Sequence, residues 1–295
     1  MTTALPSLGF AGVGLMGLPM CQRLLAAGYP LIVWNRSADK CDALLEAGAR
    51  FAETPAQLCH EADIVLTCLA DVVAVRSVVF GEQGIASAGS ADHVLVDLSS
   101  LDPSATREMA AELAATCAMA WVDAPVSGGV QGAEAGSLAI MVGAEDEPLR
   151  RVREVLLSLG ERVTHMGGVG AGQVTKACNQ MIVACNALVI AEAVALAERS
   201  GVDARLLAQA LAGGFADSKP LQILAGQMAE SRFAPIKWHV KTLLKDLDSA
   251  VKLSHEQGSA TPVTGLAAQL MRLHGSQGHL EHDPATLVEL YRGLS

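Results

Sequence analysis

The sequence predicts a doubly wound α/β domain with a mainly parallel sheet, followed by an all-helical domain. In the first half of the 295 residues, short apolar runs alternate with helical patterns. In the second half, helical spacing alone remains. A glycine cluster, Gly167-Gly168-Val-Gly170, separates the two patterns. We therefore expect an α/β domain at residues 1–166 and a helical domain at 167–295, which begins with a long interdomain helix.

Composition excludes several classes of function. A net charge of −10 and an aromatic content of 3% argue against a nucleic-acid partner and an anionic membrane surface. The seven cysteines form no CxxC pair or His-flanked cluster, and no basic and apolar leader opens the chain. We expect a cytoplasmic protein without a metal. The apolar run Met181–Ala197 is interrupted by Asn186 and Glu192, which favours a helix buried between domains over a membrane span.

The first apolar run, Ser7–Ala11, leads directly into a glycine-rich turn, and helix-forming residues follow from Leu18 to Ala27. In a GxGxxG turn between strand and helix, the first glycine permits the tight turn and the second lets the backbone approach a pyrophosphate. The third permits close packing of helix on strand. This spacing predicts dinucleotide binding. The residues expected to contact the cofactor here are Gly12, Val13, Gly14, Leu15, Met16 and Gly17.

A second strand, Leu31–Trp34, ends in Asn35, Arg36 and Ser37. An NAD-binding domain often carries an acid at this place for the ribose hydroxyls, and this strand end has none. Because Arg36 can pair with a 2′-phosphate, the sequence favours NADP over NAD. Alternatively, Ser37 caps a helix and Arg36 is solvated. We expect all three residues after the strand to contact the cofactor.

Two further strands, Ile64–Leu69 and Val94–Asp97, continue the alternation. Ligands of a parallel sheet gather at the carboxyl ends of its strands. We therefore expect Leu69, Ala70 and Ser100 to line the cofactor. The alternative for the serines after the second strand is to cap the next helix, Pro103–Cys117.

A later strand passes into Ser127, Gly128 and Gly129. One hydroxyl and two unhindered backbone N–H groups can hold a carboxylate without adding positive charge. A plain turn between strands explains the same residues. We expect the next helix to span Glu145–Leu159 and a strand at Arg162–Met166 to close the sheet.

Lys176 stands near the start of the first helix of the second half, just after the glycine cluster. Asn179 and Gln180 follow at i+3 and i+4, on the same helix face. A lysine beside carboxamides suits proton transfer, whereas a solvated lysine and core amides are the alternative. Lys245 could reach the cofactor or be a surface lysine. The expected helices are Ala171–Ser200, Ala204–Ala212, Lys219–Ala229, Lys237–Glu256, Thr261–Gln277 and Pro284–Leu294.

Four segments together resemble the β-hydroxyacid dehydrogenase family, which includes 3-hydroxyisobutyrate dehydrogenase and tartronate semialdehyde reductase. They are Gly9–Met20, Asp123–Gly129, Gly170–Lys176 and Lys245–Leu247. The resemblance covers nearly the whole chain. It implies a Rossmann domain followed by a helical domain for substrate binding and oligomerisation, in a homodimer or homotetramer.

The resemblance also implies roles for individual residues. Lys176 becomes the general acid or base, Ser127, Gly128 and Gly129 hold the substrate carboxylate, and Lys245 lies beside the cofactor or substrate. The family commonly has an asparagine four residues after its lysine. Here Gln180 stands at that place and Asn179 precedes it, which leaves open which carboxamide contacts the substrate.

The expected reaction is hydride transfer between NADP, or NAD, and a small 3-hydroxy acid that carries a carboxylate. A lysine with an ordinary pKa near ~10.4 is a poor base at neutral pH. We therefore expect burial to lower the pKa of Lys176. The alternative function is a non-catalytic NADP-binding module that senses redox state or binds a protein partner. The lysine favours the enzyme, since the related imine reductases lack it.

Overall fold

A computed structural model of the chain describes residues 5–236 and 238–293. The chain divides into two compact units, 1–176 and 177–295, which are described separately. The predicted boundary between residues 166 and 167 stays a prediction.

The described residues of the first unit form one sheet of nine strands, numbered β1 to β9 in chain order. The order in the sheet is β3-β2-β1-β4-β5-β6-β8-β7, with β9 paired to β8. Strands β1 to β6 run parallel, β8 is antiparallel to β6 and β7, and β9 is parallel to β8. The mainly parallel, doubly wound sheet is therefore confirmed. The strands are β1 Leu8–Ala11, β2 Leu31–Trp34, β3 Arg50–Phe51, β4 Ile64–Thr67, β5 Val94–Asp97, β6 Ala120–Asp123, β7 Val126–Ser127, β8 Ala139–Gly143 and β9 Arg162–Gly167.

Helices cover both faces of this sheet. Along β4, Ile64 and Leu66 belong to one apolar cluster and Val65 to the other, because successive side chains of a strand point to opposite faces. The sequence did not predict the helix Gly129–Ala135 (α6), which begins at the last residue of the Ser-Gly-Gly turn. The helices are α1 Gly17–Ala26, α2 Asp42–Glu46, α3 Pro55–His60, α4 Val72–Phe80, α5 Pro103–Cys117, α6 Gly129–Ala135 and α7 Asp146–Leu157.

One row of the sheet marks the carboxyl ends of its central strands. Ala11 of β1 pairs with Thr67 of β4, which pairs with Asp97 of β5, which pairs with Asp123 of β6. The order of the sheet reverses between β1 and β4, and ligands of such sheets bind outside the strand ends at this point. The fold therefore predicts a site next to this row.

The helix α8, Ala171–Arg199, spans the boundary between the two units. By length and composition alone, α8 is apolar enough to cross a membrane, with a mean hydropathy of 1.9 over an 18-residue stretch. That is weak evidence, because core helices pass the same test. In the second unit, Ala184, Ala187, Leu188 and Ala191 of α8 are buried in the apolar core. The expectation that α8 is buried between domains stays a prediction.

The second unit is helical, as expected. The predicted helix 204–212 is a 3₁₀ turn, Ala204–Leu206, followed by a short α-helix. The helix predicted to continue to Gln277 ends at His274, where the π-helical turn Gly275–His279 follows, with Gly278 at φ 97°. Two predicted helix ends, Lys237 and Leu294, lie outside the described residues. The helices are α9 Leu207–Leu211, α10 Lys219–Ala229, α11 Val240–Glu256, α12 Pro262–His274 and α13 Glu289–Arg292.

Candidate active site

The glycine turn after β1 has the local geometry that dinucleotide binding requires. Gly12 has φ +108°, and a Cβ on it would lie 2.4 Å from the carbonyl oxygen of Cys68. A Cβ on Gly17 would lie 2.0 Å from the carbonyl oxygen of Gly12, so the helix start packs directly on the turn. A Cβ on Gly14 would meet no described atom within 4 Å. The backbone at Gly14 is therefore open to the close approach of a pyrophosphate.

The side chains around this turn differ in exposure. Val13 is buried, Met16 is half-buried and Leu15 is 85% exposed. Gly12 donates its N–H to the carbonyl oxygen of Trp34, and Gly14 donates its N–H to that of Gly12. The turn is thus fixed to the end of β2 on one side, and its outer side faces solvent. These residues fit a dinucleotide cofactor.

Asn35 has a structural role in the same turn. Its side-chain oxygen accepts the N–H of Val13 at 3.0 Å, and its amide donates to the carbonyl oxygen of Ser37 at 2.8 Å. Ser37 occupies the N-cap position of the 3₁₀ turn Ala38–Cys41, as the alternative expected, although its side chain makes no capping hydrogen bond there. Arg36 and Ser37 are exposed at the end of β2. Cofactor contact by these three residues stays a prediction.

The loops after β4 and β5 are held together by a serine. Ser99 accepts the N–H of Leu69 at 2.9 Å through its hydroxyl oxygen. The alternative that this serine caps α5 is wrong, because Asp102 caps that helix through the N–H groups of Ser104 and Ala105. Ala70 is exposed and Ser100 is half-buried beside these loops. Their contact with the cofactor stays a prediction.

Lys176 lies beside the Ser-Gly-Gly turn. Its Nζ donates to the carbonyl oxygen of Val126 at 2.9 Å, and Val126 directly precedes Ser127. Ser127 and Gly128 are half-buried and Gly129 is exposed. Gly128 and Gly129 have φ values of 140° and 64°, which favour glycine. Two segments predicted separately from the sequence, the turn and the lysine, therefore meet in one place in the first unit.

Two buried carboxylates stand in the strand-end row beside these residues. Asp97 accepts the hydroxyl of Thr67 at 2.9 Å and the N–H of Ser99 at 3.1 Å. Asp123 accepts the N–H of Gly170 at 2.6 Å and that of Gln173 at 2.9 Å. Sequence reasoning assigned neither carboxylate a role, although an acid at a strand end is a recognisable signal.

Burial raises the pKa of both the Asp97 and the Asp123 carboxyl groups to about 6. Since these folded-state pKa values lie above the ordinary value of 3.8, folding favours the protonated forms. The resulting stabilisation is complete below pH ~3.8 and is lost as the pH rises through about 6. At neutral pH, both groups are therefore retained as anions at a cost in stability.

Gln173 was also missed by the sequence reasoning. Its side chain is 1% exposed, accepts the N–H of Leu101 at 3.0 Å and donates to the carbonyl oxygen of Ser99 at 2.8 Å. It joins the loop after β5 to the first turn of α8. A glutamine in a helix carries no sequence signal for partners more than seventy residues away.

The second unit contains a separate polar group. Asn179 donates to the side-chain oxygen of Gln180 at 2.8 Å, and the Gln180 amide donates to Asp246 at 2.5 Å. Lys245 is half exposed and forms an ion pair with Asp246 at 3.4 Å. Asp246 was not among the predicted site residues. Which carboxamide contacts the substrate, and whether Lys245 reaches the cofactor, stay predictions.

The groups around Lys176 and the Ser-Gly-Gly turn suit the transfer of a proton to or from a bound hydroxy acid. The chain provides an ammonium, a hydroxyl and glycine N–H groups in one region of the first unit, next to the strand ends. A nicotinamide cofactor would supply or accept the hydride when bound.

Comparison with known proteins supports the nicotinamide assignment. Residues 7–168 match the family described as the NAD binding domain of 6-phosphogluconate dehydrogenase. Residues 170–291 match the family described as NAD-binding of NADP-dependent 3-hydroxyisobutyrate dehydrogenase.

Relatives match over nearly their full length. The 2-hydroxy-3-oxopropionate reductase of Escherichia coli (strain K12) is 35% identical over 282 residues, which cover 96% of each chain. The structure of Mycobacterium tuberculosis 3-hydroxyisobutyrate dehydrogenase with L-serine has a TM-score of 0.87 at 29% identity, and the match covers 98% of this chain and 100% of that chain. Psf3 in complex with NADP⁺ and 2-OPP has a TM-score of 0.85 at 27% identity, over 96% of this chain and 99% of that chain.

The glycine turn, the Ser-Gly-Gly turn and the lysine thus occur in a chain that matches these dehydrogenases and reductases from end to end. The chain belongs to the 3-hydroxyisobutyrate dehydrogenase and tartronate semialdehyde reductase family of NAD(P)-dependent β-hydroxyacid dehydrogenases.

Proposed function

We propose that the chain transfers hydride between NADP and a small 3-hydroxy acid, or reduces the matching semialdehyde, with Lys176 as the general acid and base. One observation carries the proposal: the Lys176 ammonium lies 2.9 Å from the carbonyl oxygen of Val126, directly before the Ser-Gly-Gly turn. A substrate whose carboxylate is held by that turn would present its hydroxyl within a few ångströms of the amine.

We assign carboxylate binding and proton transfer to different residues of the chain. The Ser127 hydroxyl and the N–H groups of Gly128 and Gly129 bind the carboxylate without a formal positive charge. In oxidation, Lys176 accepts the proton of the substrate hydroxyl; in reduction, it donates a proton to the forming alkoxide. We further propose that one of the two carboxamides, Asn179 or Gln180, orients the substrate.

A substrate panel tests this proposal. Purified protein is assayed with 3-hydroxyisobutyrate, glycerate, 3-hydroxypropionate and L-serine, each with NADP and with NAD, by the change in absorbance of the nicotinamide. The matching semialdehydes are assayed in the same way with NADPH and with NADH. We expect turnover of at least one 3-hydroxy acid. Tight NADP binding without turnover of any acid or semialdehyde would favour a non-catalytic NADP-binding module.

We also propose a preference for NADP, with Arg36 as the partner of the 2′-phosphate. The exposed guanidinium at the end of β2 supports this role, since no acid stands there. Arg36→Ala is expected to lower kcat/KM with NADP by about tenfold, as for a lost charge-assisted hydrogen bond, and to change that with NAD little. Equal losses with both cofactors would contradict the role of Arg36.

We further propose that the chain forms a homodimer or homotetramer through α8. Ile182, Val189 and Leu196 are spaced by seven residues and are 64%, 59% and 68% exposed. Such a stripe is self-complementary in an antiparallel pair of copies, and its exposure is costly in a monomer. Sedimentation of the protein should give an oligomer and that of Leu196→Glu a smaller species. A monomeric wild-type protein would refute the proposal.

A further inference from the structure

We propose that Asp123 is the positioning residue for Lys176: from the end of β6 it fixes the start of α8 and so sets where the lysine stands. This inference rests on the acid–base role proposed above. Asp123 itself touches neither substrate nor cofactor in this scheme.

The geometry of the carboxylate is that of a helix cap supplied from a distant strand. The first N–H groups of a helix have no partner within the helix. Here one carboxylate oxygen of Asp123 accepts the N–H of Gly170 and the other accepts that of Gln173. The negative charge also lies at the positive end of the helix dipole of α8, which has 29 residues. A single side chain therefore accepts two of the N–H groups at the start of this helix.

Two glycines make this close approach possible. A Cβ on Gly143 would lie 2.5 Å from Oδ1 of Asp123 and 2.8 Å from the backbone nitrogen of Ala171. A Cβ on Gly172 would lie 2.4 Å from the carbonyl oxygen of Met141 and 2.8 Å from Oδ2 of Asp123. Strand β8 and the first turn of α8 thus enclose the carboxylate tightly, and the helix start has little freedom to shift.

The lysine is connected to Asp123 by two routes. Along α8, Gln173 and Lys176 are about one helical turn apart. A shift of the Gln173 backbone after loss of its hydrogen bond to Asp123 would therefore also shift the backbone of Lys176. Through space, the Lys176 ammonium is bonded to Val126, three residues after Asp123. The segment 123–126 therefore holds both ends of the lysine side chain: Asp123 holds the helix turn that carries its Cα, and Val126 accepts a hydrogen bond from its Nζ. A misplacement of about 1 Å at a reacting group can cost about 10²-fold in rate.

Stability alone does not account for this carboxylate. Because burial raises the pKa of Asp123, the anion is retained at neutral pH at a cost in free energy of folding. A protonated or amide side chain cannot accept both N–H groups equally well, since one of its two polar atoms is a donor.

A double-mutant cycle tests the proposal. Asp123→Asn is expected to lower kcat by about 10–10²-fold, the cost of a misplaced reacting group, with the KM of the acid and the Kd of NADP nearly unchanged. If Asp123 acts through Lys176, Asp123→Asn combined with Lys176→Ala should be no slower than Lys176→Ala alone. Losses that multiply would overturn the proposal.

Asp97→Asn is the matched control. Asp97 is also a buried strand-end carboxylate with a pKa raised to about 6, and it pairs in register with Asp123. Its own bonds are to Thr67 and Ser99, so it reaches α8 only indirectly, through the Ser99 carbonyl that accepts from Gln173. The fold loss in kcat of the double variant Asp97→Asn, Lys176→Ala should equal the product of the fold losses of the two single variants. If Asp97→Asn shows the same non-additivity as Asp123→Asn, the effect is a general one of the strand ends and the specific role of Asp123 is refuted.

A second readout does not depend on turnover. The rate at which a water-soluble acylating ester modifies Lys176, followed by peptide mass spectrometry, reports the position and protection of the amine. Asp123→Asn should change this rate by about fivefold or more through local opening of the helix start, and Asp97→Asn should leave it unchanged. An unchanged rate in Asp123→Asn would overturn the positioning role even if no acid in the panel is a substrate. Conversely, normal turnover of Lys176→Ala would reject the proposed acid–base mechanism. The acylation rate of Lys176 would then still decide whether Asp123 sets the position of the lysine.

Discussion

Lys176→Ala should lower kcat by about 10²–10⁴-fold, which is the usual contribution of a positioned acid or base. The reason is that the variant loses the amine beside the Ser-Gly-Gly turn, where the 2.9 Å bond to Val126 holds it in the native protein. Binding of NADP should be largely intact, because the glycine turn is untouched. Steady-state kinetics with the best acid of the panel and a titration with NADPH measure the two effects.

The control for this experiment is Lys252→Ala. Lys252 is 60% exposed and pairs with Glu256 at 3.6 Å on α11, and such surface pairs contribute little to stability. Its kcat should equal that of the wild type. A Lys176→Ala enzyme with near wild-type turnover would refute the role of the amine.

Gly12→Ala should both destabilise the protein and abolish cofactor binding. At φ +108°, the new Cβ would lie 2.4 Å from the carbonyl oxygen of Cys68, so the turn after β1 has to move. Backbone strain and overpacking together predict a fall of about 2–5 kcal/mol in the free energy of unfolding. Denaturant unfolding measures this fall, and calorimetric titration with NADPH measures the loss of binding.

Gly14→Ala separates the two effects. Its Cβ would meet no described atom within 4 Å, so the free energy of unfolding should stay within about 1 kcal/mol of the wild type. The methyl group would nevertheless occupy the path of the pyrophosphate, and NADPH binding should weaken by about tenfold or more. Wild-type affinity in Gly14→Ala would mean that the pyrophosphate does not approach this residue.

Local patterns predicted most of the sheet. The strands Leu31–Trp34 and Val94–Asp97 and the helix Pro103–Cys117 have the predicted bounds. Asn35 follows the first strand, Asp97 ends the second, and Pro103 opens the helix. The helix Gly129–Ala135 was missed, since it has seven residues, two of them glycines with little helix propensity, and it packs against α1. The alternative for the serines after β5 made them the cap of α5, although Asp102 directly precedes Pro103 and is the stronger capping signal.

The candidate site was only partly predictable for a different reason. Glycine spacing and a lysine near a helix start are local signals, and from them Gly12, Ser127 and Lys176 were predicted as site residues. By contrast, Asp123 and Gln173 contribute through bonds between residues 47 to 74 positions apart. No periodicity records such pairings, and only the register of the sheet brings the partners together.

The cap on α8 has a consequence for chimeras of this protein and its relatives. The natural place to join two parents is between the family matches, which end at residue 168 and begin at 170. A crossover there would take Asp123 from one parent and Gly172 and Gln173 from the other. Joining instead after Lys176, within the helix, keeps the cap, the glycine that admits it and the amine in one parental set. Exchange of C-terminal halves therefore has its suitable junction inside a helix rather than in the loop before it.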